Sequence, residues 1–589
     1  MQKHKRQVHD TDVLIIGGAL AGLTAAIASK ETEPGMDALV VDRACASRGY
    51  AGMASRTAGL ISYVSREKDP EEFVRYCLNE IGCFLNDQDI LRDFAYNSRR
   101  IVEHVEVWGV EVTRDEKLDK LDAAVWPFPW VTAGIDPDMC VHMARYAKKS
   151  GVRFLDRIVI TELIKCKGRV CGAAGFHILD GSFHVFKANS VVLACGSQNF
   201  DITPVWAGKG FAIEAAYRAG AELRNCEFAC MGDFARLSPD RKFIHYGIHG
   251  GAHTGHDHLY NAKGENISQK WRPGMHSSID LEAVNAWYQE FNAGNAPISV
   301  DMAAFDDEGG GGAFFKFHPE AYRRLMRGQE IAGFPFEDQR FEVVPGVISE
   351  MSCVRVNNSM ETTVTGLFAV GNAAGMGSAR GGGAPTPPAR IHGTGLMNAL
   401  FMGEKGGRSA AINARAMKAV CAAIEFTDVQ IDEVEQNTYL PMRRTENGVD
   451  PREVIHRVQD AVAPVDYLMI QTEKRILEAL AIVADAKEML AMVSLKDGEW
   501  HELAKWLDAR SMIVAAELYY RTSLVRKETR GFHWREDYPE RDDENWLKWV
   551  VVKKQGSDMY IFTEEIPFDK YDYQVDGSVT RAERGKIKK

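Results

Sequence analysis

The sequence predicts an α/β protein: a parallel-sheet domain delivered in two pieces, a segment inserted between them, and a helical region after the second piece. Three observations predict it. Residues 11–43 read as strand, glycine turn, helix and strand. A strand-then-glycine pattern recurs at Asn189–Ser197 and at Thr365–Asn372. Between those recurrences, from about 229 to 345, regular periodicity fades and His, Gly and aromatic residues become dense.

In the first unit, Val13, Leu14, Ile15 and Ile16 make a buried strand, Gly17 to Gly22 the turn, and Leu23 to Ser29 a helix. A second apolar run, Ala38 to Val41, ends in Asp42. That acid follows Gly22 by 20 residues, where a Rossmann-type βαβ unit places its ribose-binding carboxylate. Glycines in the turn let the backbone approach a pyrophosphate, whose charge then sits at the helix N-terminus. Ala19 stands where the middle glycine of G-x-G-x-x-G belongs, and alanine is small enough to keep that approach close. A βαβ unit that binds no nucleotide would account for the glycines alone. It does not account for two strands, a helix and Asp42 in register.

At 589 residues the chain exceeds one core, and about 150 residues per domain gives three or four units. A net charge of -11 argues against nucleic-acid binding, because no basic field is available to neutralise phosphates; the terminal RGKIKK reads as a solvated tail. Lys3, Lys5 and Arg6 before an apolar run mimic a secretory signal, but the run leads straight into the βαβ unit. No stretch of roughly 18 uninterrupted apolar residues suggests a membrane span. The 11 cysteines are scattered and never spaced C-x-x-C. That argues against a disulfide framework and against an iron–sulfur cluster held in this chain, and a reducing, cytoplasmic location is expected.

Further along, Phe211 to Gly220 reads as a helix closed by glycine, whereas EGGGGAFF (Glu308 to Phe315) cannot be regular structure. After TGLFAVGN, the loop ARGGGAPTPPARIHGTGLMNALFMG opens a helix at about Thr394, so the nucleotide domain is discontinuous. From about 409 the pattern is helical. Ile476, Leu477, Leu480, Val483 and Ala484 share one predicted face, as do Leu507, Val514 and Leu518 on a second helix. The expected divisions are 9–228 and 346–408 for the nucleotide domain, 229–345 for the insertion, 409–530 for the helical domain and 531–589 for a tail in which PERDDEN is solvated surface.

Taken together, GGALAG, LACGS, GLFAVGN, the R-G-G-G…R-I-H-G-T-G-L stretch and ETRGFHWREDYPERDDENWL resemble the flavoprotein subunits of the succinate dehydrogenase, fumarate reductase and adenylylsulfate reductase family. The motifs span most of the chain in the family's order, and the tail is nearer the adenylylsulfate reductase branch. The resemblance implies FAD held extended by the nucleotide domain, with a small-molecule substrate trapped between flavin and an α+β capping domain made by the insertion. Gly17, Gly18 and Gly22 would hold the pyrophosphate and Asp42 the adenosine ribose, with Ala19, Arg43, Ala194 and Gly196 beside them. Gly371 and Asn372 match a Gly-Glu or Gly-Asp pair near the ribityl chain, with the charge lost at Asn372. The amides of Leu396 and Met397 would open a helix under the flavin pyrimidine ring. The family's covalent members carry a histidine in an S-H-T segment; the matching stretch Cys45 to Arg56 has none, so non-covalent FAD is expected.

On the substrate side, the H-P-T-G, R-G-E-G-G and H-Y-x-M-G-G segments of dicarboxylate members are absent. IHGGAHTGHDHLYNAKGEN (Ile248 to Asn266) stands in for the second, with His249 near the proton-donating arginine, and VPGVISEM (Val344 to Met351) stands in for the third. Plain fumarate or succinate chemistry does not fit. Arg390 matches the arginine that clamps a substrate anion, and Arg380 and His392 share its loop. A structural salt bridge explains Arg380 as well as function does. His245, His249, His253, His256 and His258 are first solvated loop residues, second one or two acid/base groups, His249 and His253 among them, and only third a metal site, since no zinc-like spacing is present. The implied partner is a separate iron–sulfur, ferredoxin-like protein. An oxidase resembling L-aspartate oxidase and a non-catalytic flavin-binding scaffold are the competing readings.

Overall fold

In the computed structural model the residues described are 5–48, 60–112, 129–136, 138–202, 208–228, 231–235, 259–267, 270, 289–301, 340–347, 351, 353–374, 394–420, 425–444, 448–468, 470–531 and 533–575. The central sheet has five parallel strands in the order β5 (Arg153–Asp156), β2 (Ala38–Asp42), β1 (Arg6–Ile16), β8 (Phe183–Leu193) and β14 (Leu367–Ala369). β14 joins β8 over Val191 to Leu193, so a strand distant in sequence completes the sheet begun at the N-terminus. The other end of β8 pairs antiparallel with β7 (Arg169–His177), which pairs with β6 (Ile158–Cys166).

β1 begins earlier than the apolar run indicates. Only Val13 to Ile16 has neighbours on both sides, and burial is continuous from Thr11 to Ile16. Its first half pairs with β8 alone, so exposed and half-buried residues alternate there, and a search for continuous hydrophobicity passes over them. The helix Leu20–Thr32 likewise starts three residues before Leu23.

Within 229–345, where irregular chain is expected, β10 (Met231–Ala235), β11 (Leu259–Tyr260), β12 (Ile298–Asp301) and β13 (Arg340–Val347) form an antiparallel sheet in the order β10-β13-β12-β11. EGGGGAFF lies outside the described residues. The tail is also ordered in part: β15 (Lys548–Gln555) and β16 (Asp558–Glu565) form a hairpin that adds to β9 (Leu223–Arg224).

The helices Pro451–Val462, Glu473–Met492 and Trp500–Val525 pack on one another. On the middle one the buried line is Ile476, Ala479, Val483, Ala486 and Leu490, whereas Leu477 is half exposed at 51%. The predicted stripe was rotated because alanine counts little in a hydrophobic pattern, yet its small side chain lets neighbouring helices approach closely. PERDDEN is surface at Pro539, Glu540, Glu544 and Asn545, which are exposed, whereas Arg541, Asp542 and Asp543 are half-buried. Asp543 accepts from buried Arg530 at 2.7 Å and the Asp542 amide donates to Glu528 at 2.9 Å, anchoring that turn to the fully buried cluster Glu227, Arg526, Glu528 and Arg530. Among the described residues no helix is long and apolar enough to cross a membrane.

Candidate functional site

The five parallel strands direct their carboxyl ends to one edge, the place where open α/β sheets bind ligands. The turn after β1 is fixed by close backbone contacts. Gly17 has φ of +110°, and a Cβ there would meet the Ala194 carbonyl oxygen at 2.5 Å. A Cβ at Gly22 would run into the carbonyl of Gly17, and one at Gly18 would lie 2.6 Å from the Ala46 Cβ. These glycines therefore serve the tight turn and the approach of helix to strand. Ala19 is the N-cap; it offers no side-chain cap, and the first helical turn holds no acid. Among the described residues the leading amides of this 13-residue helix meet no side-chain cap, and the positive end of its dipole favours an anion.

Asp42, at the end of β2, accepts from the Gly18 amide through Oδ2 and from the Ala44 amide through Oδ1, both at 2.8 Å. Each oxygen keeps a second lone pair for a hydroxyl. Burial raises its carboxyl above the usual range, and the two amides oppose that rise. Asp156, at the end of β5, accepts from the Ala46 amide at 2.9 Å, so two carboxylates hold the loop that follows β2. Arg43 forks onto Asp508 at 2.6 and 3.1 Å, tying this loop to the helix Trp500–Val525.

The β8 end is pinned by the Ala194 amide donating to Ile16 at 2.9 Å. Burial pushes the neighbouring Cys195 thiol up to about 12. Gly196, at φ +80°, has none of the described residues within 4 Å of where a Cβ would sit. At the end of β14, Val370 donates to Leu193 at 2.9 Å. Gly371 (φ +61°) has its Cβ position 2.8 Å from the Ala21 Cβ, which lays the Gly371–Ala373 turn, Asn372 included, on the first turn of the helix Leu20–Thr32.

The second helix, Thr394–Val420, carries buried Leu396 and Met397 in its opening turn. A Cβ at Gly403 would strike the Ala21 carbonyl at 2.6 Å, and one at Gly407 would lie 2.7 Å from the Ala25 Cα. The Ser29 hydroxyl donates to the Gly407 carbonyl at 2.9 Å. Since 21 faces 403 and 25 faces 407, the two helices run parallel with their N-termini at the same end. Thr394 lies nine positions before Gly403 and Leu20 one before Ala21, so at 1.5 Å per residue the second N-terminus lies about 12 Å beyond the first along the helix axis. Two amide-rich helix ends, staggered at one edge of the sheet, suit an extended ligand with an anionic middle. The Gly403/Gly407 pair went unread in the sequence, although its G-x-x-x-G spacing was the available signal.

Of the residues expected to hold the cofactor, Gly17, Gly18, Ala19, Gly22, Asp42, Ala194, Gly196, Gly371, Asn372, Leu396 and Met397 lie along this edge of the sheet and its two helices. Arg380, Arg390 and His392, His249 and His253, and the remainder of the His245–His258 cluster lie outside the described residues. Arg390 and His392 precede Thr394 by four and two residues.

Comparison with known proteins agrees with this arrangement. The family model for an FAD binding domain matches residues 12–386, and that for the fumarate reductase flavoprotein C-terminus matches 460–582. The matching chain of the CoM/CoB fumarate reductase of Methanothermobacter marburgensis is 24% identical, covering 94% of this chain and 99% of that protein. The flavoprotein subunit of the 8-methylmenaquinol:fumarate reductase of Wolinella succinogenes is also 24% identical, over 92% and 88%. Among solved structures, the FrdA chain of E. coli quinol fumarate reductase superposes with a TM-score of 0.80 at 17% identity, covering 98% and 99%. The adenylylsulfate reductase of Archaeoglobus fulgidus gives 0.73 at 21%, covering 96% and 97%.

Proposed function

Because the chain belongs to the FAD binding domain family, we propose that this FAD-dependent oxidoreductase flavoprotein subunit moves hydride between flavin and a small organic substrate and passes the electrons to or from a separate iron–sulfur protein. The observation that carries the reading is the parallel pair of helix N-termini at the carboxyl edge of the sheet, the second extending about 12 Å beyond the first along the helix axis. Bound FAD supplies a reversible hydride site that protein side chains lack.

The chain's own residues divide the remaining work. The Gly17 to Gly22 turn binds the pyrophosphate, and Asp42 holds the ribose while fixing the turn through Gly18. Leu396 and Met397 present amides that favour negative charge on the pyrimidine side of the ring. Arg390 clamps a substrate anion with its planar guanidinium, with Arg380 and His392 on the same loop. His249, with His253 as its neighbour, moves the proton that accompanies hydride. The relatives' names include fumarate, but this chain lacks H-P-T-G, R-G-E-G-G and H-Y-x-M-G-G, which supports a different small organic anion as substrate.

Purification of the tagged full-length chain from its native host should bring down a small cysteine-rich protein with a brown iron–sulfur absorbance. The isolated chain should accept electrons poorly from NAD(P)H, since it carries one dinucleotide-binding unit. Recovery of a single-chain enzyme that reduces oxygen at full rate would establish the oxidase reading instead. Flavin that no partner or oxidant ever turns over would favour the scaffold.

A further inference from the structure

The hairpin of β6 and β7 turns at Lys167 and Gly168, both at positive φ (51° and 84°), the two-residue turn that right-twisted strands favour. The register pairs Cys166 with Arg169 and Lys165 with Val170, then shifts to Ile164 with Gly172. Cys171 is left as the extra residue of a β-bulge, two positions along the facing strand from the partner of Cys166, and the two side chains are near enough to interact. The two sulfurs differ in surroundings. Cys166 is half-buried, with Sγ 3.6 Å from the Glu425 carbonyl oxygen. Cys171 is buried, with Sγ 3.8 Å from the Arg169 carbonyl oxygen.

We propose that Cys166 and Cys171 are a peroxide-sensitive thiol pair. In the first step the Cys166 sulfur attacks a hydroperoxide, the O–O bond breaks, and Cys166 becomes a sulfenic acid while the other peroxide oxygen leaves as an alcohol, or as water from hydrogen peroxide. In the second, the Cys171 sulfur displaces the sulfenic hydroxyl, which departs as water with the Cys171 proton, and the S–S bond forms. The peroxide gains two electrons and each sulfur gives one. The half-exposed sulfur meets the oxidant. Burial raises the Cys171 thiol well above its ordinary value, which keeps it protonated and inert until a sulfenic acid forms against it.

Closure would be felt beyond the hairpin. It draws the Cys166 sulfur away from Glu425, beside the Gln430 side-chain amide that donates to the Lys165 carbonyl at 3.3 Å and the Phe426 ring against Gly172. That segment follows the helix Thr394–Val420, whose N-terminus borders the cofactor cleft.

The test is native full-length protein exposed to stoichiometric hydrogen peroxide, alkylated, digested and sequenced by tandem mass spectrometry. The expected product is a Cys166–Cys171 cross-link that dithiothreitol reverses. Cys171→Ser should accumulate a dimedone-reactive sulfenic acid at Cys166. Cys166→Ser, at the half-exposed position, should leave Cys171 free for alkylation after denaturation. Cys166 that stays reduced, that proceeds to sulfinic acid while Cys171 remains free, or that cross-links only after unfolding would overturn the proposal.

Discussion

Replacing Gly407 by alanine tests the helix pair on which the cofactor cleft depends. The new Cβ would lie 2.7 Å from the Ala25 Cα and 2.8 Å from its carbonyl carbon. Both are backbone atoms and cannot rotate aside, so the helices Leu20–Thr32 and Thr394–Val420 must part by roughly 1 Å to reach ordinary contact. Overpacking of this kind costs about 1–3 kcal/mol, and alanine returns up to about 1 kcal/mol in helix propensity. Because the clash is with backbone, the cost falls at the upper end of that range and the net loss is about 2 kcal/mol, while the Ser29 to Gly407 bond lengthens. The larger effect is expected on the cofactor, since in the proposed site both N-termini grip one ligand; a misfit worth about 1.4 kcal/mol weakens FAD tenfold. Flavin-to-protein absorbance ratios and fluorescence titration of the apoprotein measure this, with thermal melts alongside. Gly35→Ala is the control, since that exposed glycine has nothing within 4 Å. Wild-type flavin affinity and melting temperature in Gly407→Ala would refute the helix-pair argument.

Acid denaturation should release free yellow flavin, because Cys45 to Arg56 offers no histidine for a covalent link; flavin retained on the precipitated polypeptide would contradict this. Arg390→Ala should lower turnover tenfold to a thousandfold while flavin content stays near normal, on the order of a few kcal/mol for losing a charge-assisted clamp. Turnover at the wild-type rate would displace the substrate site, and an unchanged pH–rate profile in His249→Ala would remove only the proton-transfer role. Burial beside His9, 3.0 Å away, pushes His184 down to about 4 from its ordinary 6.5, with His177 adding to the fall and Asp180 opposing it. The unfolded chain therefore takes up this proton first, so stability is intact above pH 6.5 and declines as pH falls toward 4, by on the order of 2 kcal/mol. Melting temperatures across that range should show a decline that His184→Phe reduces, and an equal decline in both proteins would exclude His184 as its source.

The sequence alone determined the nucleotide unit, because strand, turn, helix and acid lie within one short stretch and each signal is local. Gly17, Gly22 and Asp42 hold the positions their spacing announced, and the helix expected at Thr394 begins there. What the tertiary structure decided depends on partners distant in the chain. β14 joins β8 only because a strand from beyond the insertion finds that edge, and Arg43 finds Asp508 across 465 residues. The buried stripe of the helix Glu473–Met492 was set by which neighbours it meets, with alanines at the close contacts, rather than by its most hydrophobic face. Gly403 and Gly407 looked like weak points in a helix and are instead where two helices touch. Local periodicity reports which residues can be buried; only packing against a particular partner selects the face, the neighbour and the distance.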